Sequence, residues 1–104
     1  MRVQRGKKTV EMNREELHAA SADYAGVLLD IGTGDGKFVY RGAVEHPDTF
    51  CIGLDAIGEN MREVSGKATR KAARGGVPNA LFIVESVESL PGELRGLADT
   101  ITIN

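Results

Sequence analysis

From Val27 to Lys37 the chain reads Val-Leu-Leu-Asp-Ile-Gly-Thr-Gly-Asp-Gly-Lys, an order that few folds accommodate. Val27 to Ile31 is a short apolar run, long enough for a buried strand of a parallel sheet and too short to span a membrane. Three glycines at alternate positions, Gly32, Gly34 and Gly36, follow at once, and then a segment with helical spacing. Strand, glycine turn and helix open a βαβ unit. Glycines permit backbone angles closed to other residues and remove side chains that would hold a ligand away. The first N–H groups of the helix, with the positive end of its dipole behind them, are expected to face that ligand. Asp30, at the carboxyl end of the strand, is expected to add a negative charge at the mouth of the crevice. Such a charge suits a ligand with a cationic group better than a bare pyrophosphate. The expectation is a nucleotide-like cofactor site.

The flanking segments extend this frame. Met1 to Met12 reads as a hairpin turning at Arg5-Gly6-Lys7. Asn13 with Glu16 forms a capping-box pattern, and Leu17, Ala20 and Tyr24 give the helix behind it a thin apolar stripe. Beyond the glycines, a helix over 35–46 presents Phe38, Val39 and Ala43 to the sheet and ends at His46-Pro47. Thr49 to Leu54 is the second strand and delivers Asp55 at its carboxyl end. Residues 59–74 read as the next helix, with Met61, Val64, Ala68 and Ala72 on one side and Lys67, Arg70, Lys71 and Arg74 on the other. Gly75-Gly76 stops it. Ala80 to Val84 is a third strand, Leu90-Pro91-Gly92 is a break, Leu94 to Leu97 a short helical turn, and Asp99 to Ile103 an alternating fourth strand.

Charge narrows the function classes. The 104 residues carry a net charge of −2, which argues against a uniformly basic nucleic-acid binder. The distribution is uneven, however. Arg2, Arg5, Lys7 and Lys8 precede the first acid, and Arg62, Lys67, Arg70, Lys71 and Arg74 stand against the single acid Glu63 in 62–74. Such asymmetry is compatible with a local polyanion-binding face, although a solvated lysine/arginine face is the ordinary alternative. Cys51 is the one cysteine, so no internal disulfide is expected, which fits a reducing cytosol, and its apolar neighbours suggest an inert thiol. His18 has no second ligand at metal spacing, and no metal site is expected. No apolar segment follows the basic N-terminus as a signal peptide would require.

The glycine pattern is Gly-x-Gly-x-Gly, one residue tighter than the usual dinucleotide fingerprint. With Asp30 before it and Asp55 after the next strand, it resembles the cofactor motif of Rossmann-like S-adenosylmethionine-dependent methyltransferases. Further motifs narrow the likeness: Gly6-Lys7-Lys8, Ile52-Gly53-Leu54-Asp55, Lys71 with Gly75-Gly76, and Glu88-Ser89-Leu90-Pro91. Together they resemble the aminoglycoside-resistance (kanamycin-apramycin resistance) methyltransferases of 16S ribosomal RNA, which methylate N1 of an adenine in the decoding A site. The resemblance runs over nearly the whole chain.

That resemblance implies an α/β fold, a partial Rossmann-like methyltransferase with an N-terminal hairpin over 1–12 and a cofactor-binding half over 13–104. It implies that Asp30, Gly32, Thr33, Gly34 and Gly36 surround the methionine part of S-adenosylmethionine. Asp55 and Ala56 would hold the ribose, and Ser86, Val87 and Glu88 would flank the adenine. Lys67, Arg70, Lys71 and Arg74 would dock on 16S rRNA of the 30S subunit, in the cytoplasm. No catalytic acid or base is implied, because adenine N1 already carries a lone pair at neutral pH, leaving proximity and orientation to do the work. Family members continue past the fourth strand into a tryptophan-bearing half expected to stack the flipped target base. This sequence has no Trp and stops at Asn104. The expectation is therefore an N-terminal half, inactive alone, whose strand 99–103 is an unpaired edge that either self-associates or stays poorly ordered. Two other functions fit the residues alone: a nicotinamide-dependent oxidoreductase fragment, or a non-catalytic RNA-binding module.

Overall fold

A computed structural model describes residues 1–89 and 92–103. Its centre is one sheet. Strands β1 (Arg2–Arg5) and β2 (Lys8–Glu11) form the N-terminal hairpin. Gly6 turns it with φ +64°, the sign that a type II′ turn requires at its first central position. Four parallel strands follow: β3 (Gly26–Ile31), β4 (Thr49–Asp55), β5 (Ala80–Val84) and β6 (Thr100–Ile103). The order across the sheet is β2-β1-β5-β4-β3-β6, with β1 antiparallel to β5. Both faces of the inner strands are buried, so β4 reads as a continuous apolar run rather than an alternation.

Helix α1 (Arg14–Ser21) begins at the expected capping box, where the Asn13 side chain accepts the Glu16 N–H and Glu16 accepts the Asn13 N–H. It lies over a core of Leu17, Leu29, Phe50, Ile52, Leu54 and Ile83. The face it buries differs from the expected stripe. Leu17 and Ser21, four apart, point inward, whereas Ala20 is exposed. Ser21 tolerates burial because its hydroxyl donates to the Leu17 carbonyl.

Helices α2 (Lys37–Glu45) and α3 (Arg62–Ala68) cover the opposite face, over Val39, Ala43, Cys51, Met61, Val64 and Phe82. Helix α2 starts two residues later than the sequence suggests, because Asp35 and Gly36 are used in the turn itself. Phe38 is corrected outright: it is 53% exposed, since Val39 and Ala43 form the inward i,i+4 pair.

The long helix expected over 59–74 is also corrected. It is a 3₁₀ turn over Gly58–Met61, then α3, then a second 3₁₀ turn over Ala72–Arg74. In a continuing helix the Ala68 carbonyl would accept from Ala72. Here the chain folds back and Val77 takes that carbonyl at 3.0 Å. Gly76 makes the fold-back possible, since a Cβ there would lie 1.7 Å from the Arg70 carbonyl oxygen. Met61, Val64 and Ala68 are buried as their spacing suggests, whereas Ala72 is exposed. A short helix, α4 (Gly92–Arg95), precedes β6. The expected break at Leu90-Pro91 and the terminal Asn104 lie outside the described residues.

Candidate functional site

The carboxyl ends of β3, β4 and β5 lie side by side, and the loops leaving them carry the residues singled out in the sequence. Gly32, Gly34 and Gly36 all have positive φ, +72°, +63° and +79°, so the turn needs glycine at each. Gly36 has a second reason, because a Cβ there would come within 2.7 Å of the Phe82 ring. Gly34 is the opposite case. A Cβ there would meet nothing within 4 Å, so the loop is open above it.

The N–H groups of Gly32, Thr33, Gly34 and Gly36 turn inward. Gly32 and Thr33 both donate to the Leu54 carbonyl, at 2.8 and 2.9 Å. Gly36 donates to the Thr33 carbonyl, and Lys37 to the Asp35 carboxylate at 2.9 Å. Gly34 donates to Asp55 Oδ2, also at 2.9 Å. An anion nest needs such donors pointing outward, and this loop spends these donors on β4 and on its own Thr33 and Asp35.

Asp55 is half-buried at the end of β4. Besides Gly34, its other carboxylate oxygen accepts the Ile57 N–H at 2.9 Å. It therefore clamps the glycine loop to the turn after β4, with Ala56 exposed between the two contacts. Each carboxylate oxygen has a second lone pair, which leaves acceptor capacity for a diol. Across the crevice, Ser86 is half-buried, and Val87 and Glu88 are exposed on a short 3₁₀ turn after β5.

Asp30 is not at the mouth of the crevice. Its side chain is fully buried, and Thr102 Oγ1 of the neighbouring β6 donates to Asp30 Oδ1 at 2.6 Å. Strand order explains this, since β6 pairs with β3 in a register that sets Asp30 opposite Thr102. Thr33 is 7% exposed, and its hydroxyl finds no hydrogen-bond partner among the described residues. It packs on Gly53, where a Cβ would lie 2.9 Å from the Thr33 methyl. The hydroxyl oxygen is itself buried against Gly53, an unsatisfied polar atom in the backing of the loop.

Lys67, Arg70, Lys71 and Arg74 are all exposed. They do not share one helix face, because only Lys67 lies in α3. Arg70, Lys71 and Arg74 ride on the compact turn closed by Arg74 N–H to Lys71 O, Gly75 N–H to Ala72 O and Gly76 N–H to Lys71 O. Tyr40 supports this turn, a role that nothing in the sequence signalled. Its hydroxyl donates to the Gly75 carbonyl at 2.6 Å, and Lys67 Nζ lies 5.0 Å from its ring centre. Ser65 is buried and accepts the Gly6 N–H at 2.9 Å, which ties the hairpin turn to α3.

Asn79 was equally silent in the sequence. Buried, it reaches the carbonyls of Ala43, His46 and Thr49 and so ends α2. Burial pushes the Cys51 thiol up, in keeping with an inert side chain. Among the described residues no cluster of three metal-ligating side chains occurs, and no helix is long and apolar enough to cross a membrane.

Known proteins share this arrangement. The family model described as NpmA, 16S rRNA (adenine(1408)-N(1))-methyltransferase, matches residues 2–104. The 16S rRNA (adenine(1408)-N(1))-methyltransferase of Escherichia coli is 39% identical over 103 residues, covering 99% of this chain and 47% of that protein. The crystal structure of the antibiotic-resistance methyltransferase Kmr matches with a TM-score of 0.98 at 62% identity, over 100% of this chain and 53% of that one. A variant of the Catenulisporales acidiphilia 16S rRNA (adenine(1408)-N(1))-methyltransferase, crystallised with cosubstrate SAM, matches with a TM-score of 0.94 at 35% identity, over 99% and 50%. The chain spans about half the length of the curated relatives it matches.

Proposed function

The chain belongs to the 16S rRNA (adenine(1408)-N(1))-methyltransferase family, and from that premise we propose that it is the cofactor-holding half of an rRNA methyltransferase. The activity proposed is methylation of N1 of an A-site adenine in 16S rRNA of the 30S subunit, which confers aminoglycoside resistance. A protein acting on ribosomal subunits works in the cytoplasm. Residues 1–12 serve as a hairpin extension and 13–104 as the cofactor-binding half, inactive without the rest of a complete enzyme.

The observation that carries this reading is the inward-turned glycine loop held by Asp55. A loop whose Gly32, Thr33, Gly34 and Gly36 N–H groups are already spent suits a cofactor without a pyrophosphate. S-adenosylmethionine fits, and when bound it supplies a methyl group already activated on a sulfonium. Asp55 and Ala56 take the ribose, and Ser86, Val87 and Glu88 flank the adenine. Gly32, Thr33, Gly34 and Gly36 line the methionine end. Asp30, buried against Thr102, supports the methionine end from beneath rather than as a direct contact. Lys67, Arg70, Lys71 and Arg74 dock the rRNA. The nicotinamide alternative needs outward donors for a pyrophosphate, and no observation favours it. Calorimetric titration of the chain with S-adenosylhomocysteine and with NAD separates the two: weak binding of the first alone is expected, and binding of NAD alone would overturn the assignment.

The edge strand β6 supports a second copy as partner. Among the described residues it pairs on one side only; it carries no charged residue and exposes Ile101 at 51% and Ile103 at 78%. Self-association of the chain through Thr100–Ile103 follows. Sedimentation showing a monomer with strong amide protection across 100–103 would reject it.

A further inference from the structure

Pairing between β1 and β5 covers only Arg2↔Val84 and Val3↔Ile83. Beyond that point the two strands part, and Ala80 to Phe82 have no strand partner on the β1 side among the described residues. A groove of about 520 Å³ opens there, between β1, the end of α3 and the turn 69–78. It lies toward the amino end of β5, whereas the cofactor loops leave the carboxyl end, so it is separate from the site described above.

We propose that this groove receives an unpaired nucleotide of the RNA, its base in the groove and its flanking phosphates on Arg5 and Arg70. The proposal rests on the reading that this face docks on rRNA. The nucleotide is a neighbour of the docking site and not the methylated adenine, which belongs at the cofactor end.

Size, chemistry and rigidity agree. The volume is that of a small-molecule site. Val77 and Pro78 supply an apolar wall, Gln4 and Thr69 supply polar groups, and the unpaired edge of β5 supplies backbone groups able to read a base edge. Two arginines and no acid line the groove, and neither arginine forms an ion pair among the described residues. An arginine plane stacks on a splayed base as well as pairing with phosphate. Lys67, Lys71 and Arg74 are exposed on the adjoining segment and extend the positive field. The walls are fixed before binding. A Cβ on Gly66 would sit 3.2 Å from Gly6 Cα, so the hairpin turn lies flush on α3, where Ser65 also holds it. A preformed site spares the cost of ordering its walls on binding. A peptide adding a strand to the edge of β5 is the weaker occupant, because that edge is only three residues long.

The test measures affinity of the chain for two RNA hairpins of equal length, one fully paired and one with a single bulged nucleotide, by anisotropy at fixed salt. The bulged RNA is expected to bind about tenfold more tightly, in line with the stacking of one base. In the double variant Thr69→Leu, Ala72→Leu, which fills the groove, the ratio of the two affinities should fall to about one, with the thermal midpoint checking that the fold survives. Arg70→Ala, which leaves the groove open but removes its cation, should lower the same ratio. An equal affinity for both RNAs in the parent chain, or a preference that survives filling, would overturn the groove proposal alone. Failure of both RNAs to bind would remove the docking reading and the groove with it. A strand-forming acidic peptide that binds in the groove and leaves the RNA preference untouched would also overturn it.

Discussion

The turn from Gly32 to Gly36 and the turn from Thr69 to Val77 are both closed by backbone hydrogen bonds and both depend on glycine, yet they leave opposite groups on the outside. In the first, N–H groups donate to Leu54, Thr33 and Asp55, and what remains outside is open space over Gly34. In the second, the backbone closes on itself and on Ala68, and what remains outside is cationic: Arg70, Lys71 and Arg74. One turn is shaped by what it leaves empty, the other by what it displays. Glycine therefore has two different jobs, and substituting it separates them.

The largest effects should come from the glycines that are packed. Gly76→Ala places a Cβ against the Arg70 carbonyl, and Gly36→Ala places one against the buried Phe82 ring at positive φ. Each should destabilise the chain by roughly 2–4 kcal/mol through overpacking and, for Gly36, left-handed backbone strain as well. Gly34→Ala meets no neighbour, so it should cost only about 1–2 kcal/mol of backbone strain while blocking the cofactor space. Urea unfolding and calorimetry on the three variants test the division. If Gly34→Ala bound S-adenosylhomocysteine like the parent, the empty space would not be the cofactor's.

Next is the clamp. Asp55→Ala removes both the proposed ribose acceptor and the bond to Gly34, and should abolish detectable cofactor binding. Asp55→Asn can still accept the Gly34 N–H through its amide oxygen, but its amide nitrogen cannot accept the Ile57 N–H, so it should hold the glycine loop, loosen the turn after β4 and lose at least about tenfold in affinity, the scale of a charge-assisted hydrogen bond. Unchanged affinity in both variants would remove Asp55 from the cofactor site.

How far these two turns could be read from the sequence differs for a physical reason. The strand–glycine–helix order is local, because an apolar run fixes the strand and glycine supplies positive φ wherever it stands. Asp55 was equally accessible, since a residue ending a strand must lie at the strand's end. The burial of Asp30 was not, because its partner Thr102 is brought beside it only by the strand order. The second turn misled for a related reason. Met61, Val64 and Ala68 keep helical spacing, and Ala72 continues it on paper. Whether Ala68 accepts from Ala72 or from Val77 depends on a fold-back that periodicity does not encode. Phe38 shows the same limit, since an apolar residue next to the inward pair looks the same in sequence whether it faces the sheet or solvent.

On the basic turn, replacing Lys67, Arg70, Lys71 and Arg74 together by alanine should weaken binding to the 30S subunit and flatten its salt dependence. On duplex-like RNA each lost phosphate contact lowers the log–log slope by up to about 0.9. Binding of S-adenosylhomocysteine should be unaltered, because none of the four residues lies in the glycine loop, at Asp55 or in the turn after β5. A retained salt slope would make this an ordinary solvated surface, and a lost cofactor affinity would show the turns to be coupled.

The smallest effect distinguishes members of the basic set. Lys67 lies over the Tyr40 ring, whereas no ring contact engages Lys71 among the described residues. To reach a phosphate, Lys67 must give up an aromatic contact worth about 0.5–1 kcal/mol at an exposed site. Lys71 gives up only water. Lys67→Ala should therefore cost less rRNA affinity than Lys71→Ala, by roughly two- to fivefold on that contact energy. Tyr40→Leu removes the ring's hold on Lys67, and also the hydroxyl that holds the Gly75 carbonyl. Tyr40→Phe keeps the ring and loses only the hydroxyl, so it isolates the support of the turn. If Lys67 is restrained by the ring, Tyr40→Leu raises the cost of the subsequent Lys67→Ala change and Tyr40→Phe does not. Equal costs in all three backgrounds would mean that the lysine is already free to leave the ring and that the turn alone sets its position.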